Sequence, residues 1–352
     1  MTQDKIVNAK DDAQIRIAAK ILSEGGVVAF PTETVYGLGA DVFNEKAVCK
    51  IFEIKKRPSF DPLIVHVSDP AEASLLWTDI PPLASQLIRY FWPGPLTLVL
   101  PKKAAVPDVV TSGLPTVAVR MPRNDAALKL IRYLGHPIAA PSANLFGYTS
   151  PTTAQAVFED LGEGVEMILD DGPVPVGLES TVLKIEGTLC RLLRPGGVSL
   201  EEIEKWAPVV STDSPPAGVY ESPGLLRSHY APWTAFTLFE GSSEELLKEL
   251  KQLEETLKEK ELPLPRIGLL SFFEKPKSSF FEAVEVLSAK KDLVEAASNL
   301  FQAIRKLDKM HLDLIVALKT PREGIGFAIM DRLEKASSGK KGFQDFLENW
   351  KR

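Results

Sequence analysis

The sequence predicts an α/β protein, α+β in part, in two domains: a twisted mixed sheet with helices, a linker, and a small Rossmann-like doubly wound α/β domain. Three features carry that expectation. Helix and strand patterns alternate through residues 1–206, and a hairpin signature interrupts the alternation near its end. A stretch rich in Pro, Ser and Gly follows over 207–233, and a second regular alternation fills 234–352. At 352 residues the chain also exceeds what one core ordinarily holds.

The elements follow in order. Asp11 or Asp12 caps a helix with Ile15, Ala18, Ala19 and Leu22 on one face, and Gly25 and Gly26 end it. A strand over 27–30 leads into the loop PTETVYGLG, and Asn44 caps a second helix with Val48, Ile51 and Phe52 as its apolar stripe. Strands are expected over 63–67, 96–100, 117–120 and 138–140. Two more, over 181–185 and 189–193, flank Glu186-Gly187-Thr188 as a hairpin. In the linker, Tyr220, Leu225, His229, Tyr230 and Trp233 are unusual for a solvated tether. Beyond it, FTLF reads as a strand, and Ser242 with Glu245 forms a capping box on a charged amphipathic helix. Strands over 267–272 and 312–317 and helices over 293–307 and through 330–333 complete the pattern.

Composition narrows the function. The net charge of −6 argues against bulk electrostatic capture of nucleic acid, so a polyanion must meet a local basic cluster. No apolar run reaches the roughly 18 residues of a membrane span. Two distant cysteines, Cys49 and Cys190, suit a reducing compartment, and the cytoplasm is expected. GxxxxGK[ST], HExxH and GxSxG are all missing, and GLG at 37–39 lacks the third glycine of a dinucleotide fingerprint.

Cations and hydroxyls at strand ends remain. In KKRPSFDPLIVH (55–66), three cations close a helix, which its dipole favours regardless of function. Two prolines then stiffen a loop before a strand whose alternation sets His66 on the polar side, an arrangement suited to phosphate. Arg120, opposite Val117 and Val119, is either a solvated edge residue or a bidentate anion grip. PSANLFGYTSPT (141–152) is either turn and capping chemistry or an anion loop before a helix N-terminus. Thr34, Glu179-Ser180-Thr181 and Leu193-Arg194-Pro195-Gly196-Gly197 lie at further strand ends. No carboxylate pair, metal cage or nucleophile triad emerges; the inventory binds and positions anions.

Taken together and in order, PTETVYGLG, KKRPSFDPLIVH, PSANLFGYTSPT, ESTV and LLRPGG resemble the YrdC-like domain. The linker SPGLLRSHYAP and the ending NLFQAIRKLD…REGIGFAIMDRL are similar to the long, two-domain L-threonylcarbamoyladenylate synthases. The resemblance implies a reaction of L-threonine, bicarbonate and ATP, with Mg²⁺ on the ATP, giving threonylcarbamoyl-AMP and pyrophosphate. Separate downstream proteins would then transfer the threonylcarbamoyl group to tRNA. By that resemblance Thr34, His66, Arg120, Ala140 and Ser180 form the threonine pocket. Lys55, Arg57, Thr116, Ser142, Asn144, Ser150 and Arg194 contact ATP, and Tyr230 reaches over the nucleotide from a lid-like linker. Catalytic weight falls on Lys55, Arg57, Ser142 and Asn144, and no metal-ligating residue is expected.

Four positions depart from the usual pattern. Asp61 replaces a common asparagine and would weaken ATP binding or contact Mg²⁺ or the ribose; Phe146 replaces a small serine; Lys56 replaces a frequent glycine; and Leu226-Arg227-Ser228 replaces Lys-Tyr-Arg. A monomer with weak or no direct tRNA binding is expected. The alternatives are a carbamoyl-adenylate-forming enzyme, as in hydrogenase-maturation proteins, and a double-stranded RNA-binding module. The second would show steep salt dependence and would tolerate loss of Ser180.

Overall fold

The structure, a computed structural model, describes residues 3–211, 221–226, 228–338, 343, 346 and 350; Tyr220 and Arg227, noted above, lie outside them. The chain divides into two units, Met1–Phe146 with Ser150–Leu226 and Gly147–Thr149 with Arg227–Arg352.

The strands of the first unit are β1 (Ile6–Asn8), β2 (Val28–Phe30), β3 (Gly37–Asp41), β4 (Ile64–His66), β5 (Leu96–Pro101), β6 (Thr116–Arg120), β7 (Ile138–Ala139), β8 (Met167–Asp170), β9 (Thr181–Glu186), β10 (Leu189–Arg194) and β11 (Val209–Ser211). Its helices are α1 (Asp12–Ser23), α2 (Glu45–Lys55), α3 (Ala73–Leu76), α4 (Pro82–Phe91), α5 (Asp108–Thr111), α6 (Asp125–Leu134), α7 (Ala154–Leu161) and α8 (Leu200–Glu204). The strands form one mixed sheet in the order β1-β8-β2-β3-β7-β4-β6-β5-β9-β10-β11. Asp11 and Asn44 cap α1 and α2 as their sequences require, each side chain accepting a backbone N–H of the first turn.

Both faces of the central strands are covered. Val28, Phe30, Ile138 and Ala140 meet α1 and α6 through Ile15, Ala19, Ala127 and Ile131. Ala29, Leu38, Ala40, Val65 and Val67 meet Val48 and Ile51 of α2 and Val157 and Leu161 of α7. The face of β4 that carries His66 is buried: Ile64 is 6% and His66 5% exposed, with Arg120 opposite His66. Two corrections concern local pattern. Gly37-Leu38-Gly39, read as the end of a loop, opens strand β3, paired antiparallel to both β2 and β7, so backbone pairing outweighs the weak strand propensity of two glycines. Within the proposed linker, β11 extends the sheet parallel to β10.

The second unit contains β12 (Ala235–Phe239), β13 (Ile267–Ser271), β14 (Phe281–Val286) and β15 (Leu314–Leu318), all parallel in the order β12-β15-β13-β14. Helix α9 (Ser243–Glu259) starts on the Ser242–Glu245 capping box and packs Leu246, Leu250, Leu253 and Leu257 against Ile267, Leu269, Leu314 and Val316. The alternate residues Leu270, Ile315 and Ala317 are buried too, on the side of α10 (Leu293–Asp308) and α11 (Gly326–Ser337), as a doubly wound sheet requires. The Tyr148 hydroxyl donates to Asp308 at 2.8 Å, and Arg305 Nη2 donates to the Thr149 carbonyl at 2.6 Å.

Candidate functional site

Strands β4 and β6 run parallel with His66 opposite Arg120 at their C-terminal ends. The loop between β2 and β3 supplies Glu33 and Thr34. Arg120 Nη1 donates to Thr34 Oγ1 at 2.9 Å and Nη2 to Glu33 Oε2 at 2.7 Å. Thr34 is held in turn by Thr32, whose hydroxyl lies 2.8 Å away. The His66 ring stands edge-on to Phe30, 5.8 Å between centroids. Ala140 approaches β4 through its N–H, which donates to the Ile64 carbonyl at 2.9 Å, so only its carbonyl is left to face a ligand. Across β5, the Ser180 hydroxyl meets Thr97 at 2.7 Å. Arg194 donates to the Ser180 carbonyl at 3.0 Å and to the Pro223 carbonyl at 3.1 Å.

The other predicted residues cluster at the C-terminal end of α2 and at the opposite end of β6. Lys55 is buried and donates to the carbonyls of Ser142 (2.5 Å) and Asn144, so one ammonium shapes the PSAN loop. Burial, and then the neighbouring Arg57 charge, push the Lys55 amine well below its ordinary range. Arg57 Nε donates to the Asp61 carbonyl at 3.0 Å, and Nη2 donates to the Pro62 carbonyl and pairs with the Asp61 carboxylate, both at 2.9 Å. Ser150 donates to the Glu179 carboxylate. Thr116 is half-buried at the start of β6, four residues before Arg120 and hence about 13 Å away. A cavity of about 530 Å³ by Ile54, Phe158 and Leu161 includes none of these residues.

Lys55, Arg57, Arg120 and Arg194 thus lie buried with Asp61, Glu33 and Glu179. Burial pushes the Asp61 carboxyl above its ordinary range, with the charges of Arg57, Lys55 and Arg194 opposing, and Arg57 is the cation in contact with it at 2.9 Å. Tyr230 belongs to the second unit, where its buried ring lies 5.6 Å from Phe301 and under the Arg332 guanidinium at 4.9 Å.

Residues 20–196 match the Sua5/YciO/YrdC family, described as "Telomere recombination", and residues 198–338 match the threonylcarbamoyl-AMP synthase C-terminal domain. The threonylcarbamoyl-AMP synthase of Pyrococcus abyssi is 43% identical, over 94% of this chain and 97% of that one. The chain belongs to the threonylcarbamoyl-AMP synthase family. The Bacillus subtilis member is also 43% identical, over 94% of each chain. A crystal structure of P. abyssi Sua5 complexed with L-threonine superposes with a TM-score of 0.84, at 42% identity over 93% of this chain and 95% of that one.

Within this family frame, the departures acquire physical roles. Asp61 is buried against Arg57, which occupies its carboxylate and fixes the loop before β4. Lys56 sits at φ 52°, the left-handed helix C-cap where glycine is less strained. The Phe146 ring lies 5.8 Å from the Arg57 guanidinium, a cation–π arrangement that a serine would lack. Glu33 and Thr97 went unnoticed in the sequence. Glu33 stood inside a quoted motif, but a lone carboxylate in a loop carries no local signal of a partner 87 residues away.

Burial first, and then the Arg120 charge, drive the His66 imidazole down to about 3, with backbone groups of Ile64 and Ile138 opposing. Between that value and the ordinary 6.5, the unfolded chain binds a proton that the folded one refuses. Stability is therefore complete above the ordinary value and falls as pH drops through it. From about pH 7 to about pH 5.5, this chain should lose about 1 kcal/mol more than His66→Gln, read from urea denaturation. Equal losses in the two proteins would remove His66 as the cause.

Proposed function

We propose that the chain is a nucleotidyltransferase that joins L-threonine, bicarbonate and ATP into threonylcarbamoyl-AMP and pyrophosphate. The observation that carries this reading is strand β6. Its last residue, Arg120, donates to Thr34 and Glu33, and its first, Thr116, lies at the end of the sheet where β2 turns into the Glu33–Thr34 loop and the Arg57–Pro62 loop enters β4. In this reading an amino acid gripped by Arg120 and a nucleotide held toward Thr116 bring a carbamate between them, toward the α-phosphorus. A carbamate oxygen is already a nucleophile, so the protein contributes position, charge neutralisation and exclusion of water.

In this reading Arg120 takes the threonine carboxylate, and Thr34, Ser180 and the Ala140 carbonyl read the hydroxyl and amine end, beside a neutral His66. Lys55, Arg57 and Arg194 neutralise the triphosphate, while Ser142, Asn144, Ser150 and Thr116 hold its oxygens and ribose. Mg²⁺ would ride on the phosphate oxygens and water, with Asp61, ion-paired to Arg57, as a nearby carboxylate, and would supply charge neutralisation there.

No helix among the described residues is long and apolar enough to cross a membrane, and the reading places the chain in the cytoplasm as a monomer. Its product would pass to separate proteins that modify tRNA, with no bulk attraction of this chain for RNA. Pyrophosphate release from ATP is expected only when L-threonine and bicarbonate are both present, with threonylcarbamoyl-AMP seen by mass spectrometry. Release indifferent to threonine would overturn the assignment.

A further inference from the structure

We infer that Glu33 receives the ammonium of the amino-acid substrate and accepts the proton that leaves it as the carbamate forms. The inference rests on the reaction proposed above and adds a residue to it.

The Glu33–Arg120 pair is buried, with side-chain exposures of 5% and 4%. Two carboxylate oxygens facing a guanidinium fork ordinarily satisfy each other in parallel. Here they do not. Arg120 turns Nη1 to Thr34 and gives Glu33 only Nη2, so Glu33 Oε1 and Arg120 Nε are both buried without a hydrogen-bond partner. Such atoms are costly to leave unmade. One left-over atom is an anionic acceptor and the other a cationic donor, on the two members of a single ion pair. That arrangement complements a zwitterion, with an ammonium on Oε1 and a carboxylate on Nε. It also explains why Thr34, next in the chain, reads the same ligand.

Carbamate formation must release a proton. The ammonium passes one proton to the Glu33 carboxylate, and the freed amine attacks the bicarbonate carbon. The new C–N bond forms as a C–O bond breaks, and the leaving hydroxide departs as water with a second amine proton. Glu33 then returns its proton to solvent. The sum is ammonium plus bicarbonate giving carbamate, water and one proton. The other nearby groups are less suited to this step. Glu179 accepts from Ser150, Asp61 faces Arg57 across an ion pair of 2.9 Å although its Oδ2 also lacks a hydrogen-bond partner, and His66, whose Nδ1 is likewise without one, is kept neutral with little affinity for a proton.

The test compares the full-length chain with Glu33→Gln and Glu33→Asp in two directions. Forward, pyrophosphate release is followed against L-threonine and pH. In reverse, ATP is formed from pyrophosphate and fresh threonylcarbamoyl-AMP, in which the carbamate already exists. Glu33→Gln keeps an oxygen for Arg120 but puts an amide N–H₂ where the ammonium would lie. Forward synthesis should fall by about 10²- to 10⁴-fold with a raised threonine KM, while reverse ATP formation stays within about tenfold. Glu33→Asp, which retains the charge, should recover part of the forward rate, and it carries the test alone if the glutamine variant does not fold. Equal losses in both directions would reduce Glu33 to a structural partner of Arg120, and unchanged forward kinetics would remove it from the reaction. An unmodified chain that releases pyrophosphate without threonine would overturn the reaction itself, a separate result.

Discussion

Arg120→Ala is expected to lower unfolding stability by about 3–5 kcal/mol and to reduce threonine-dependent turnover at least about 10²-fold. The stability loss comes from the partner left behind. Glu33 sits at 4% exposure with one oxygen on Arg120 and the other unpaired, so removing the guanidinium strands a buried carboxylate. Thr34 loses its orienting donor in the same step. The double variant Glu33→Ala/Arg120→Ala should regain much of the stability and none of the activity, because an emptied ion pair costs less than a broken one. Urea denaturation and pyrophosphate release on the three proteins read this out. A single-variant loss below about 1 kcal/mol would mean that Glu33 finds water or a proton when left alone.

Gly196→Ala should cost about as much activity, though less stability, without altering any polar group. A Cβ at this position would stand 2.3 Å from the Glu179 oxygen, 2.3 Å from the Ser180 carbonyl carbon and 2.4 Å from the Thr181 nitrogen. All three are backbone atoms, so the start of β9 must move. The movement is resisted by Gly197 N–H on Glu179 O and by the two bonds between Thr181 Oγ1 and the Val198 backbone. Ser180 would leave Thr97 and Arg194, and Glu179 would leave Ser150. The expected result is about 1–3 kcal/mol of overpacking strain and a fall in kcat/KM of about 10²-fold. Gly187→Ala is the control. Its Cβ would meet open space at φ 65°, so it should cost about 1–2 kcal/mol and leave kcat/KM unchanged. Equal activity for the two variants would show that the Gly196 contact does not position the site.

Much of the fold was legible where the signal is local. Asp11, Asn44 and the Ser242–Glu245 box all cap the helices that their sequences announce. Strand β3 was not legible, because Gly37, Leu38 and Gly39 have little strand preference and are ordered by β2 and β7 on either side. The period-2 reading of β4 separated the two faces and put His66 with the polar groups, but it could not show that this face is buried; alternation reports direction and not what covers it. At the site, the motifs named the cations, Asp61 and Glu179, but not which carboxylate each cation or hydroxyl would meet, and they gave Glu33 no role. Glu33 pairs across 87 residues and Glu179 across 29, and such pairings exist only after folding.

The strand order also has a consequence for how the pocket comes into being. β1 pairs with β8, so Ile6 waits for Ile168, and β5 keeps an unpaired edge until β9 brings Thr181 opposite Leu96. Sheets closed by such distant pairings form more slowly than helical units, because the intervening chain must be gathered first. On a chain growing from its N-terminus, Thr34 and Lys55 emerge early, whereas Ser180 and Arg194 complete their contacts only after the outer strands join. The proposed ligand residues therefore come together only once β9 and β10 have joined the sheet, when most of the first unit has been made.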